Sequence, residues 1–164
     1  MNALLFAIAM EKSIGANLKN MQESCSPELK SVLAQLIVFQ QEFEQILLQL
    51  QSPESGVGLP TIDPVRMVGN DELWNSLSNQ FQPVSLPSAA DYMVLCSVHA
   101  MLDKTAQFYL QTAKNIEQAP QRLLLSSIAE MKLMLRRRFD GIERVVVNQV
   151  WNAVGFPPGM LAKE

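Results

Sequence analysis

The chain has 164 residues, of which 48% are hydrophobic and 18% charged, and its formal net charge is −3. That composition excludes a disordered chain, and the lack of any apolar run near about 18 residues excludes a membrane-spanning helix. The acidic balance gives no electrostatic footing for nucleic acid, and two cysteines, Cys25 and Cys96, are too few for a disulfide framework and suit a cytoplasmic location.

Residues 1–10 are apolar and short, as in a signal-peptide core. No basic residue precedes them and no small-residue cleavage pattern ends them, so secretion is the lesser alternative. Leu4, Ile8, Glu11, Gly15 and Leu18 instead form one stripe with steps of four and three, which predicts a first helix from about Asn2 to Gln22. A second helix starts at Ser26-Pro27, a capping serine followed by a proline at the first helical position. Its stripe is Leu29, Leu33, Leu36, Gln40, Phe43, Leu47 and Leu50.

Most of the prolines and glycines fall in the next stretch, residues 51–87. A helix of about 25 residues is about 37 Å long, and about 11 extended residues run back along it. The stretch is therefore long enough to cross over and still hold a short helix at Asp71–Leu77. Leu73, Trp74, Leu77 and Phe81 are expected to pin it to the core. Its Gly56-Val57-Gly58 has no strand–turn–helix context and is not read as a nucleotide loop.

A third helix starts near Ser88, with Asp91 three residues on as a capping-box partner. Its stripe is Leu95, His99, Leu102, Ala106, Tyr109, Ala113 and Ile116. The fourth helix runs from Pro120 to about Asn152, with Leu125, Ile128, Lys132, Leu135, Phe139, Ile142, Val146 and Gln149 on its stripe. Short links between the first two and the last two helices predict antiparallel hairpins. The expected fold is all-α: one domain over 1–164, with a hairpin at 1–50, a crossover at 51–87, a hairpin at 88–152 and a tail at 153–164. The tail, with Phe156-Pro157-Pro158, is expected to fold back or to meet a neighbour. Ala9-Met10 recurs as Ala100-Met101 and Pro27 is answered by Pro120, as in a duplicated hairpin.

Four polar residues interrupt the apolar stripes: Glu11, Gln40, His99 and Lys132. A buried charge without a partner is expensive, so these groups must find one another or water. Pairing of Lys132 with Glu11, with Gln40 completing the hydrogen bonds, is the sharper expectation. The plainer one has Lys132 reaching the surface along its alkyl stem and Glu11 at a wet end of the core. A lone helical histidine such as His99 is more often hydrogen-bonded in a core than a metal ligand. Arg136-Arg137-Arg138 reads as a solvated face, and neither cysteine has a basic companion in sequence that would activate a thiol.

The segments Ala100-Met101-Leu102-Asp103-Lys104-Thr105-Ala106-Gln107-Phe108-Tyr109, Pro120 and Ile128-Ala129-Glu130-Met131-Lys132, with Ala7-Ile8-Ala9-Met10-Glu11-Lys12 in the first hairpin, resemble the ferritin-like superfamily and its rubrerythrin-like branch. The resemblance covers the four helices. It implies a ferritin-like four-helix bundle in which each hairpin offers one glutamate and a Glu-x-x-His pair to two iron ions.

Of those ligand positions only Glu11 keeps its ligand type. The second-helix pair falls on Gln40 and Phe43, the third-helix glutamate on Leu102, and the fourth-helix pair on Lys132 and Leu135. A di-iron centre needs several carboxylates, and an ammonium at a ligand position opposes it. The resemblance so modified implies a non-catalytic member without a cofactor, a homodimer in a structural or interaction role with an unknown protein partner. Two alternatives stand beside it. One is an iron-binding, ferroxidase-like oxidoreductase with ligands drawn from Glu11, Glu44, His99, Asp103 and Glu130. The other is a small-molecule binder with a cavity lined by Phe43, Leu102 and Leu135.

Overall fold

The computed structural model describes residues 3–50, 62–69, 71–79, 88–153 and 155. They form six helices and no strand: α1 (Ala3–Glu23), α2 (Pro27–Leu50), α3 (Pro64–Val68), α4 (Asp71–Asn79), α5 (Ala89–Lys114) and α6 (Ala119–Ala153). Phe81, Gly56-Val57-Gly58, Phe156-Pro157-Pro158 and the side chain of Leu50 lie outside the described residues.

Local chemistry sets the helix starts. The Leu29 amide donates to Ser26 Oγ (3.3 Å), and Pro27 takes the first helical position, where no amide proton is needed. Ser88 and Asp91 form a reciprocal capping box at the start of α5. Sequence periodicity misses α3, which is too short to show a period. It forms because the Asp63 side chain accepts from the Val65 and Arg66 amides and Pro64 presets the first turn. Gly69 ends it in a place where any Cβ would lie 2.1 Å from the Val65 carbonyl oxygen.

Helix α1 packs on α2 and α5 packs on α6, each pair joined by a short turn, and α1 also meets α5. The apolar stripes of all four long helices contribute to one core. Leu18, Leu29, Leu33, Leu47, Leu95, Leu125, Ile128 and Val146 are fully or almost fully buried in it. The short helices α3 and α4 lie against α6. Trp74 is their anchor: its ring stacks on Phe39 at 5.9 Å and meets the edge of Phe139 at 6.3 Å. Its indole N–H donates to the Val68 carbonyl (3.0 Å), closing the end of α3. Leu77 is buried beside it and Leu73 half-buried, as the sequence predicts for the segment between the hairpins. No helix among the described residues is long and apolar enough to cross a membrane.

A second tie joins the two hairpins. Asp91 is buried, and its carboxylate accepts from the Ser88 amide of its own helix (3.2 Å) and from the Ser26 amide at the start of α2 (2.8 Å). One side chain thus serves two helix N-termini, where the backbone amides are otherwise unpaired. Asp91→Ala is expected to lower the unfolding free energy by about 2–3 kcal/mol, against about 1 kcal/mol for Ser88→Ala, which removes a single cap. Urea denaturation of the two variants checks the ordering.

Candidate functional site

Halfway along the core each long helix supplies one polar side chain to a common point: Glu11 from α1, Gln40 from α2, Tyr109 from α5 and Lys132 from α6. None is more than 6% exposed. The stripes dictate the meeting, because each residue occupies a core position of its helix and the side chains around it are apolar. Lys132 Nζ lies 2.5 Å from Glu11 Oε2 and donates to Gln40 Oε1 at 2.9 Å. The Gln40 amide donates to Glu11 Oε2 (2.5 Å) and to the Glu11 backbone carbonyl (3.0 Å). The Tyr109 hydroxyl donates to Glu11 Oε1 (2.8 Å). Both carboxylate oxygens are therefore occupied, and the ammonium's remaining neighbour is the ring of Phe43, 5.5 Å from Nζ at its centroid. An aromatic face is an electrostatic partner for a cation.

The arrangement is closed to solvent. Phe43, Leu102 and Leu135 are 0, 2 and 3% exposed. Gly15 lies beside Gln40, and a Cβ at that position would make only an ordinary contact of 3.6 Å with Gln40 Cγ. Burial pushes the Tyr109 hydroxyl far above the ordinary phenol range, and the Glu11 carboxylate beside it adds to the shift. Tyr109 is thus a fixed neutral donor.

Glu11, Gln40 and Lys132 are the three stripe residues that the structure brings together. His99 is not with them. Val98, fully buried, takes the centre of that turn of α5, and His99, about 100° further round the helix, is half-buried at the edge of the seam. There it joins a second polar level between α5 and α6. His99 Nδ1 lies 2.9 Å from Glu143 Oε2 and 3.2 Å from Asp140 Oδ1, and the Arg136 Nε–H donates to His99 Nε2 (3.2 Å). Arg136 also pairs with Asp103 at 2.8 Å. The three consecutive arginines are therefore not one solvated face, because Arg138 pairs with Asp71 and only Arg137 is simply exposed.

Of the remaining carboxylates, Glu44 is half-buried and Glu130 exposed. Neither joins a group of three or more metal-type ligands among the described residues, and nor does Glu11. Cys25 is buried and its thiol donates to the Gln22 carbonyl (3.3 Å); burial, aided by the Asp91 charge, pushes that thiol up.

Sequence reasoning missed two things here. Tyr109 stands on the α5 stripe, but a tyrosine there reads as an apolar side chain, although a buried hydroxyl needs a partner. The second polar level carried a usable signal. His99, Asp103, Arg136, Asp140 and Glu143 each follow a core residue by one position: Val98, Leu102, Leu135, Phe139 and Ile142. Comparison with protein-family models, curated proteins and solved structures finds no match for this chain.

Two measurements test the central cluster. Lys132→Met and Glu11→Gln are each expected to cost about 3–5 kcal/mol, since each leaves the other group buried without its partner. The double variant should lose less than the sum, and additive losses in the cycle contradict the pairing. The second concerns pH. A phenol held neutral in the folded state, against an ordinary value of 10.0, does not affect stability below that value. Above it the unfolded chain releases a proton that the folded chain keeps. Stability should then fall by up to about 1.4 kcal/mol per pH unit for this group. Tyr109→Phe should lose about 1–2 kcal/mol at neutral pH, and its stability should fall less steeply than that of the wild type above pH 10.

Proposed function

We propose that this chain is a non-catalytic ferritin-like helical bundle of the rubrerythrin-like type, in which an internal ion pair stands where relatives hold two iron ions. Its role is structural or one of interaction, as a cytoplasmic homodimer without a cofactor. The supporting observation is the donor set at the central level. Glu11 is the sole carboxylate there among the described residues, and both of its oxygens accept hydrogen bonds. Lys132 places a positive charge among the same atoms, 1% exposed. These residues do not fit a di-iron centre, which needs several carboxylates to balance two cations.

The three apolar replacements favour the same reading. Phe43 presents its ring to the ammonium, and Leu102 and Leu135 are closed off from water. An ammonium neutralised by a carboxylate, an amide and an aromatic face supplies internally the charge balance that bound cations provide in a metal-holding bundle. The net charge of −3 gives no attraction to nucleic acid.

The test is anaerobic loading of the purified chain with ferrous iron, followed by measurement of bound iron and of oxygen-dependent iron oxidation. The expected outcome is no iron at the central level and no oxidation above the protein-free rate. Two irons per chain that disappear in Glu11→Gln overturn the reading.

A further inference from the structure

The second polar level, between α5 and α6, shares no residue with the central cluster and has a different character. We infer that His99, Asp140 and Glu143 form a binding site for one divalent transition-metal ion of the zinc class. The ligand atoms, His99 Nδ1 and one oxygen of each carboxylate, all lie within 4.8 Å of one another. Two of the separations, 2.9 Å to Glu143 and 3.2 Å to Asp140, lie just below an informative length. Bonds of 2.0–2.1 Å to a tetrahedral ion put neighbouring ligand atoms about 3.3 Å apart. Asp140 and Glu143 stand three residues apart on one face of α6, and His99 reaches them from α5.

An unsatisfied atom points the same way. Asp140 Oδ1 is buried and accepts no hydrogen bond. The imidazole has one proton to give on this side. It goes to Glu143 at 2.9 Å, and the oxygen of Asp140 at 3.2 Å is left without a bond. A divalent ion in place of that proton would bind both carboxylates at once and balance their two charges. The side chains of His99, Asp140 and Glu143 are 29, 32 and 24% exposed, which gives an ion a way in and a water access to the fourth position.

Arg136 opposes the ion. Its Nε–H donates to His99 Nε2, which keeps the ring proton on Nδ1 when no ion is present. An ion on Nδ1 moves that proton to Nε2, so the histidine releases no net proton. Two N–H groups would then face each other across 3.2 Å unless Arg136 lets go of the ring. The guanidinium can keep its other bond, to Asp103. Arg136 is thus a built-in competitor, and its removal should tighten binding where removal of an ordinary structural residue would not.

The test uses the full chain, stripped with a chelator and titrated with zinc chloride by calorimetry. Cobalt(II) absorption reports the coordination number. One ion per chain is expected. Asp140→Asn and His99→Gln should weaken binding at least about tenfold. Arg136→Met should tighten it severalfold, and Glu11→Gln should leave it unchanged, which separates this site from the central one. Circular dichroism melts establish that each variant is folded, and the isosteric Asp140→Asn is the variant best placed to remain so. No binding by the wild type, equal binding by His99→Gln and Asp140→Asn, or binding not tightened in Arg136→Met overturns the assignment.

Discussion

The ammonium of Lys132 and the carboxylate of Glu11 touch in a closed part of the core, and the hydrogen bonds around that contact tie all four long helices to one point. An apolar stripe can slide by a turn against its neighbour and still bury much the same area. A charge cannot, because moving it off its partner leaves it desolvated and alone. Gln40 and Tyr109 make the constraint sharper: each donates to a different oxygen of Glu11, so α2 and α5 are fixed to the same atom group as α6. A network of this kind adds little net stability over a well-packed apolar core. What it supplies here is a single register for helices whose seams are otherwise rich in interchangeable leucines.

The ends of the structure use the same principle on backbone groups. Asp91 binds the amides that begin α2 and α5, so the second hairpin caps the first. Trp74 occupies the gap between Phe39 of α2 and Phe139 of α6, and its N–H closes the last turn of α3. Both side chains are buried with their polar atoms satisfied. Asp91 ties one hairpin to the other and Trp74 holds the segment between them to the core, at points where plain hydrophobic contact would fix neither direction nor distance.

The two polar levels differ in what they leave open. In the central one every polar atom of Glu11, Gln40 and Tyr109 that points inward is bonded, and the ammonium has a carboxylate, an amide oxygen and a ring around it. That makes it an electrostatic object whose bonds are all made within the chain. The level one to three turns further along α6 is partly exposed and carries a carboxylate oxygen without a bond. The contrast comes from depth alone: a site at the seam's edge can share its charges with solvent, so it need not be complete in itself.

From the amino-acid order it was possible to read the four long helices, their starts at Ser26-Pro27 and Ser88, the short helix at Asp71, and the three polar residues that meet in the core. All of these depend on interactions between residues close in sequence, or on a period that one helix imposes on its own side chains. The tertiary structure decided the rest. Val98 rather than His99 faces the centre, because the stripe is wider than a single line and packing selects its axis. The Tyr109 hydroxyl becomes part of the cluster only when α1 is laid against α5. The grouping of His99, Asp103, Arg136, Asp140 and Glu143 depends on the rotation of α5 against α6, which no period within either helix specifies. Sequence spacing places a side chain on its own helix; which partner stands opposite is settled by how two helices pack, and that is a property of the fold.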